Sequence, residues 1–348
     1  MIIRYSMKRI LAIFEQRRLR RSVGFKIFCV LAVVIIAFYL FFFYTPFIPI
    51  MEVWEQVALP SFIPFFFVSM LTMLQTIALI FLGDLSPTKR VDSFDVIRMK
   101  PYTNLDYIVG KAWGTVSLFL RADIVICTLI MLVHVLLTDS PFNPLYYIYA
   151  LLFITLPSLV FITGLSFLLQ TMIRQRAISS LLVLAVVAVL YQFGMKAFGC
   201  TDLFTNFIPT AFSEMVGLRV WKQLLLHRFF FFLVGCAFLM FAAVCMRRLC
   251  EVKKRPLSYS ATGAVFLVAG CLALFFYWDA FQQRLKARQT YRESYILASQ
   301  YLHPRMTSQQ LAVELKQGKM HAVSEVTLVN QHDTSLSRVT LYLNPGWQ

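Results

Sequence analysis

The chain has 348 residues, of which 59% are hydrophobic and only 14% are charged, whereas ordinary soluble domains are about 45–50% apolar and about 25% charged. This composition excludes a soluble globular enzyme and indicates that most of the chain lies in lipid. In a soluble protein a formal net charge of +16 would suggest a nucleic-acid partner. No such partner is predicted here, because of where the basic residues lie. The basic residues fall in short runs between apolar stretches, where they mark membrane topology.

The first segment, residues 1–24, is predicted to be a cytoplasmic amphipathic helix that lies on the membrane surface and contacts lipid. The alternative is a solvated basic lead-in that only fixes topology. A cleavable signal peptide is not expected, because the basic region continues to Lys26 and no small-residue cleavage site follows the first apolar run. The apolar face of the predicted helix contains Ile10, Leu11, Ile13 and Phe14.

Seven stretches are long and apolar enough to cross about 30 Å of hydrocarbon, which takes about 20 residues. The chain is therefore predicted to be an all-α polytopic membrane protein, with a six-span core over residues 25–246 and a seventh span within residues 247–278. The fourth span contains Pro157 and Gly164 and is expected to be bent. The predicted spans are residues 25–45, 61–82, 117–137, 145–170, 178–196, 228–246 and 260–278.

The distribution of Lys and Arg predicts a cytoplasmic N-terminus in a bacterial inner membrane. Twenty of these residues fall in the segments that this orientation places inside, which are 1–26, 83–111, 172–177 and 247–257. The outer loops 45–60 and 138–144 carry none, and the outer segment 197–228 carries Arg219, Lys222 and Arg228. This asymmetry satisfies the positive-inside rule for the first six spans. The seventh span does not follow the rule, because four basic residues lie just beyond it on the predicted outer side: Arg284, Lys286, Arg288 and Arg292.

The loop between the second and third spans is predicted to form two capped helical segments. The first contains Phe94 and Ile97 and ends before Pro101, because the residue before proline is disfavoured in a helix. An apolar face on a loop outside the membrane requires a partner. The helix starts are marked by Asp92 or Ser93 and by Asn104.

The sequence from Asp92 to Lys111 resembles the coupling loop of ABC-2-type transporter permeases, in which a short helix precedes a proline, a small polar cap and a Gly-Lys pair. The resemblance extends over about the first 250 residues. Asp92 and Ser93 stand where the family usually has an acidic residue followed by glycine. The positions that the resemblance assigns to coupling are Asp92, Phe94, Ile97, Arg98, Pro101, Asn104, Gly110 and Lys111.

The resemblance implies the partners of the chain. In that family the loop docks into a separate cytoplasmic ABC ATPase subunit that carries ATP and Mg²⁺, and the permease pairs with a second copy or a related permease. No cofactor is expected on this chain itself. The same resemblance implies that residues 200–226 form re-entrant or surface helices on the outer side.

Arg121, Asp123 and His134 lie in the third predicted span. Arg121 and Asp123 are expected near the inner interface, snorkelling toward water, with the bundle interior as the alternative. His134 is expected to be an interfacial or packed imidazole, and no metal site is predicted.

Residues 279–348 are polar in composition and are predicted to form a small α+β extracytoplasmic unit. A helix is expected over residues 291–302, and Thr307 with Gln310 predicts a capped helix that ends near Gly318. Alternating residues near 325–328 and 338–343 predict a β-hairpin. This tail resembles the opening of the β-domain in bacterial fusions of an ABC-2-type membrane region with an M1 aminopeptidase.

No motif for catalysis is present. The sequence contains neither the GxxxxGK[ST] phosphate loop nor HExxH, so the chain is predicted not to be an enzyme. The function favoured is a permease subunit of an ATP-driven exporter. The alternative is a membrane anchor, or a truncated fragment of a permease–peptidase fusion, that acts through its outer tail. A polytopic lipid enzyme is disfavoured because the spans lack convergent polar groups.

Overall fold

The computed structural model describes most of the chain and divides into two compact units, residues 1–277 and 278–348. The described residues are 2–44, 60–83, 103–137, 141–173, 175–196, 199–208, 221–246, 257–301, 303–316, 319–336 and 339.

The first unit is a bundle of long apolar helices that follow the predicted spans closely. Six described helices are long and apolar enough to cross a membrane, and a bent pair at the N-terminus gives up to seven. The chain is therefore a helical membrane-type protein, as its composition predicts. The helices are α1 (Ile2–Arg21), α2 (Val23–Tyr44), α3 (Phe62–Leu82), α4 (Asn104–Leu137), α5 (Pro144–Ala150), α6 (Leu156–Met172), α7 (Arg176–Lys196), α8 (Trp221–Cys245) and α9 (Leu257–Ser299).

The N-terminal helix is bent by 68° from α2 at Ser22. The Ser22 hydroxyl accepts a hydrogen bond from the backbone N–H of Phe25 at 3.3 Å and so caps the start of α2. The side of α1 that packs against the protein carries Ala12, Glu15 and Leu19. The predicted apolar residues Ile10, Ile13 and Phe14 are exposed.

The helix that contains the third predicted span is longer than the span itself. This helix, α4, has 34 residues, and the predicted span is its C-terminal part. At about 1.5 Å per residue α4 is about 51 Å long, which exceeds the hydrocarbon thickness of about 30 Å. The predicted helix after the loop is therefore the first turns of this same helix.

The fourth span is irregular, as its proline predicts. The five residues Leu151–Thr155 form a π-helical turn between α5 and α6, directly before Pro157. Proline cannot donate a hydrogen bond to the preceding turn, and its ring clashes with the carbonyl four residues earlier. The wider turn accommodates both effects.

The closest helix contact joins α6 and α8 through facing glycines. A Cβ atom on Gly235 would lie 2.7 Å from the Cα of Phe161, a separation that real side chains do not tolerate. Gly164 faces the Gly235 backbone in the same way. Small residues therefore let the two backbones meet, as is typical of helix packing in lipid.

The second unit contains the end of α9 and a two-stranded antiparallel sheet. Strand β1 (Arg305–Lys316) pairs with β2 (Lys319–Val329), from Arg305 opposite Val329 to Lys316 opposite Lys319. The helix predicted from Thr307 to Gly318 is therefore wrong. Leu311, Val313 and Leu315 alternate with polar or small residues, and this period of two outweighs the capping pattern.

The hairpin thus lies earlier in the chain than predicted. The predicted strand at 325–328 is part of β2, whereas the predicted strand at 338–343 lies, except for Val339, outside the described residues. The helix predicted over 291–302 is the C-terminal end of α9, which stops at Ser299.

Candidate functional site

The predicted coupling loop enters the bundle at the start of α4. Asp92, Phe94, Ile97, Arg98 and Pro101 lie outside the described residues. The remaining coupling positions, Asn104, Gly110 and Lys111, belong to the first two turns of α4. We call residues 103–114, together with the parts of α1 and α8 that they contact, the α4 base.

Thr103, one residue before the predicted cap, begins α4. Its hydroxyl accepts a hydrogen bond from the backbone N–H of Asp106 at 3.2 Å, and its own N–H donates to the Asp106 carboxylate at 3.2 Å. This reciprocal pair is a capping box. The prediction that Asn104 is the cap is therefore wrong by one residue, because Thr103 forms both bonds with the residue three positions later.

Asn104 instead joins α4 to the end of α8. Its side chain is buried, and its amide N–H donates to the carbonyls of Met246 at 3.0 Å and Ala243 at 3.4 Å. The last carbonyls of a helix have no partner within the helix. Asn104 satisfies two of those of α8 and so ties the end of the coupling loop to a second helix.

A third helix, α1, packs directly on the α4 base. A Cβ on Gly114 would lie 2.7 Å from the carbonyl oxygen of Ala12, and one on Gly110 would lie 3.1 Å from that of Lys8. The two glycines thus allow α1 to approach the α4 backbone. The Lys8 ammonium also lies 3.1 Å from the Asp106 carboxylate.

Lys111 is buried in this joint, with its ammonium 5.7 Å from the centre of the Tyr107 ring. This distance is within the range of a cation–π contact. Of the Gly110-Lys111 pair, singled out by its resemblance to a coupling motif, Gly110 contributes to the packing between α1 and α4, and Lys111 lies against Tyr107 of α4 itself.

The two charged residues further along α4 have different surroundings. Arg121 is exposed and donates to the side-chain oxygen of Gln16 in α1 at 3.2 Å. Asp123 is fully buried and accepts a hydrogen bond from the amide of Gln75 in α3. Snorkelling is therefore the wrong expectation for Asp123, because the Gln75 amide holds its carboxyl inside the bundle.

His134 is a packed imidazole, as predicted. Its Nδ1 atom lies 2.9 Å from the Tyr147 hydroxyl, and its ring meets Phe142 edge-on with centroids 5.3 Å apart. Within the described residues no group of three His, Cys, Asp or Glu side chains could hold a metal ion.

Between α7 and α8, residues 199–208 form turns rather than the predicted helices. The backbone passes through the left-handed region at Gly199, where φ is 77°, and at Thr205, where φ is 63°. Asp202 holds the turn, since its carboxylate accepts from the N–H groups of Phe204 at 2.9 Å and Phe207 at 2.6 Å. We call residues 199–208 the turn segment. The rest of the predicted region up to residue 220 lies outside the described residues.

The turn segment is buried, so its carbonyl groups need partners from neighbouring helices. Arg228 of α8 is fully enclosed and donates to the carbonyls of Leu203 at 2.7 Å and Asp202 at 2.9 Å. His227 donates through Nε2 to the Cys200 carbonyl at 3.0 Å. Serines of α3 and α6 complete the contact: Ser69 donates to Phe204, and Ser158 donates to Leu203.

Burial also changes the ionisation of the turn segment. It raises the pKa of the Asp202 carboxyl, against the opposing effects of Arg228 and of the backbone N–H donors. Burial likewise raises the pKa of the Cys200 thiol to about 11.

Sequence reasoning missed this network because it treated Arg228 as an outer charge at the start of a span. The structure places Arg228 inside α8, two turns after the helix begins at Trp221. The signal available in the sequence is the pair His227-Arg228 directly before four phenylalanines. Polar residues in such a run require partners within the protein.

Comparison with known proteins finds no matching family model, no matching curated protein and no matching solved structure. The resemblance of residues 92–111 to a coupling loop therefore rests on the sequence alone.

Proposed function

We propose that the chain is the membrane permease subunit of an ATP-driven transporter of the ABC-2 type, and that it works as an exporter. Its N-terminus lies in the cytoplasm of a bacterial inner membrane. A separate ATPase subunit binds the loop 92–104 and supplies ATP and Mg²⁺. Support comes from the family resemblance of Asp92 to Lys111 and from the six or seven helices of membrane-spanning length.

One observation carries the proposal furthest. The loop ends on a joint that ties three helices together: Thr103 caps α4, Asn104 binds the end of α8, and α1 packs on Gly110 and Gly114. A partner that displaced the loop would therefore move α1, α4 and α8 together. Rigid helices that shift as a unit are a known means of opening a pathway.

The proposed assembly contains two permeases and two ATPase subunits. A single unit of this size, whose described interior is filled by close helix contacts such as that at Gly235, is too narrow to enclose a wide pathway. A second copy or a related permease provides the other wall.

Site-specific crosslinking tests the proposed ATPase partner. A photo-crosslinking residue at Phe94 or Ile97, introduced in native membranes, is expected to capture a protein with a phosphate-binding loop. The matched control is Phe142, an exposed aromatic residue in the segment between α4 and α5, which should capture no ATPase. Labelling of Phe94→Cys from outside intact cells would contradict the proposed orientation.

A second function, a membrane anchor that acts through its tail, is favoured by the exposed hairpin. Leu311, Val313, Val323 and Val329 are all exposed apolar residues of this two-stranded sheet, and a hairpin alone is marginal in water. Deletion of residues 279–348 separates the two functions. A permease should retain loop-dependent stimulation of its ATPase without the tail, whereas an anchor should lose its partner.

A further inference from the structure

The bend between α1 and α2 leaves a groove against α4 that the proposed function does not use. Two adjoining cavities, of about 800 and 630 Å³, share Ile13, Gln16 and Arg121 as lining residues. The larger continues along α1 toward Lys8, and the other continues along α2 and α4. We call this combined space the bend groove.

The polar part of the bend groove is strongly basic. Lys8, Arg9, Arg17, Arg20 and Arg121 line it, and no acidic residue does. Of the two acidic residues nearby, Asp106 pairs with Lys8, and Glu15 pairs with Arg18 at 2.5 Å.

Three of the arginines remain uncompensated. Arg9, Arg17 and Arg20 are exposed, and within the described part of the chain they form no ion pair or hydrogen bond. Among the described residues, these three arginines therefore have no acidic partner, and an anion in the groove can match their charge.

The rest of the groove is apolar and runs along two spans. Cys29 and Val33 of α2 face Leu118, Val125 and Leu129 of α4 across it. From Arg121 to Leu129 the α4 axis rises about 12 Å. One half of the hydrocarbon core measures about 15 Å. The apolar strip beyond Arg121 therefore covers most of the depth of one membrane leaflet.

We propose that the bend groove is a binding site for one anionic glycerophospholipid. The lipid phosphate lies against Arg17, Arg20 and Arg121, and one acyl chain follows the strip between α2 and α4. Basic side chains beside an apolar groove fit both parts of such a lipid. A free phosphate ion would use only the first part, and a neutral lipid only the second.

General attraction between basic residues and an anionic membrane surface predicts something different. It acts on every exposed Lys or Arg by about the same amount and does not depend on the shape of an apolar wall. The proposed site instead requires three particular arginines and an open strip beside them. Removing the three arginines or blocking the apolar strip should therefore each weaken specific binding. The test accordingly has two independent arms.

The test measures binding of acyl-labelled phosphatidylglycerol and phosphatidylcholine to the purified full chain in neutral detergent. We expect tighter binding of phosphatidylglycerol. The substitutions Arg17→Gln, Arg20→Gln and Arg121→Gln together should weaken it by about tenfold or more. The control set removes the same charge from α9, through Arg284→Gln, Lys286→Gln and Arg288→Gln, and should change the affinity less than about twofold.

The apolar arm fills the strip and leaves the charges in place. Val33 and Val125 are exposed, so Val33→Trp with Val125→Trp is expected to retain the folded chain, which a monodisperse gel-filtration peak verifies. This variant should also weaken phosphatidylglycerol binding by about tenfold. Three results would overturn the proposal: an equal loss in the α9 control set, unchanged binding in the filled variant, or displacement of the lipid by inorganic phosphate.

Discussion

The two ends of the helical unit use polar groups in different ways. At the α4 base, separate helix ends are joined by Asn104 and by the ion pair of Lys8 with Asp106, in which the Lys8 side chain is 40% exposed. At the opposite end most of the turn segment is buried, and Arg228 binds its carbonyls with almost no exposure. One end is a joint near the surface, and the other is a closed polar core.

The difference follows from the backbone that each end must accommodate. The turn segment has no regular helix to satisfy its N–H and C=O groups, so every neighbouring helix must contribute a fixed partner. At the α4 base the backbones are helical almost to their ends, and few external bonds are needed. We therefore expect the turn segment to hold the fold together and the α4 base to allow movement.

The largest predicted effect is at Arg228. The substitution Arg228→Met keeps a long side chain of similar size but removes the donor to the buried Asp202 carbonyl, leaves the Leu203 carbonyl with Ser158 alone, and removes the positive charge beside the buried Asp202 carboxyl. We expect a loss of about 3–5 kcal/mol, seen as loss of the monodisperse protein in detergent and of its thermal transition. Arg292→Met, on an exposed part of α9, is the matched control. A normal transition in Arg228→Met would show that the turn segment does not hold the fold together.

A smaller effect is predicted at the α4 base. Asn104→Ala removes two hydrogen bonds to the end of α8 and should lower the free energy of unfolding by about 1–2 kcal/mol, measured by denaturant titration in detergent. The fold should persist, because the packing of α1 on Gly110 and Gly114 remains. Gln300→Ala, at an exposed position, should change nothing. Unfolding as severe as that of Arg228→Met would remove the contrast between the two ends.

The smallest predicted effect concerns the ion pair. Because Lys8 is partly exposed, Lys8→Gln is expected to cost less than about 1 kcal/mol, and the cost should fall further at high salt. The measurement is the same titration at low and high ionic strength. A large cost that salt leaves unchanged would make the ion pair part of a closed core.

The sequence predicted the helical spans well and the polar sites poorly, for related reasons. A run such as Phe62–Leu82 contains no charged residue and is mostly apolar, so its length and composition identify a span. The partners of Asp123 and Asn104 come from other helices, and those of Arg228 come from the turn segment. No local pattern encodes those pairings.

At the hairpin, by contrast, a local sequence pattern was present but predicted the wrong structure. Thr307 and Gln310 matched a helix-start pattern, yet the same residues begin an alternating segment that pairs with β2. The choice between the two depends on whether a partner strand is present, and Glu325–Thr327 supplies it.

The most direct test of the central claim, that loop 92–104 couples this chain to an ATPase, is stimulated ATP hydrolysis in reconstituted vesicles. Phe94→Asp places a charge in the proposed interface, where an unpaired charge costs several kcal/mol by order of magnitude. We predict that hydrolysis falls to the level of the ATPase alone while membrane insertion is unchanged. Phe142→Asp, in the segment between α4 and α5, should retain stimulation. Full stimulation in Phe94→Asp would contradict the account.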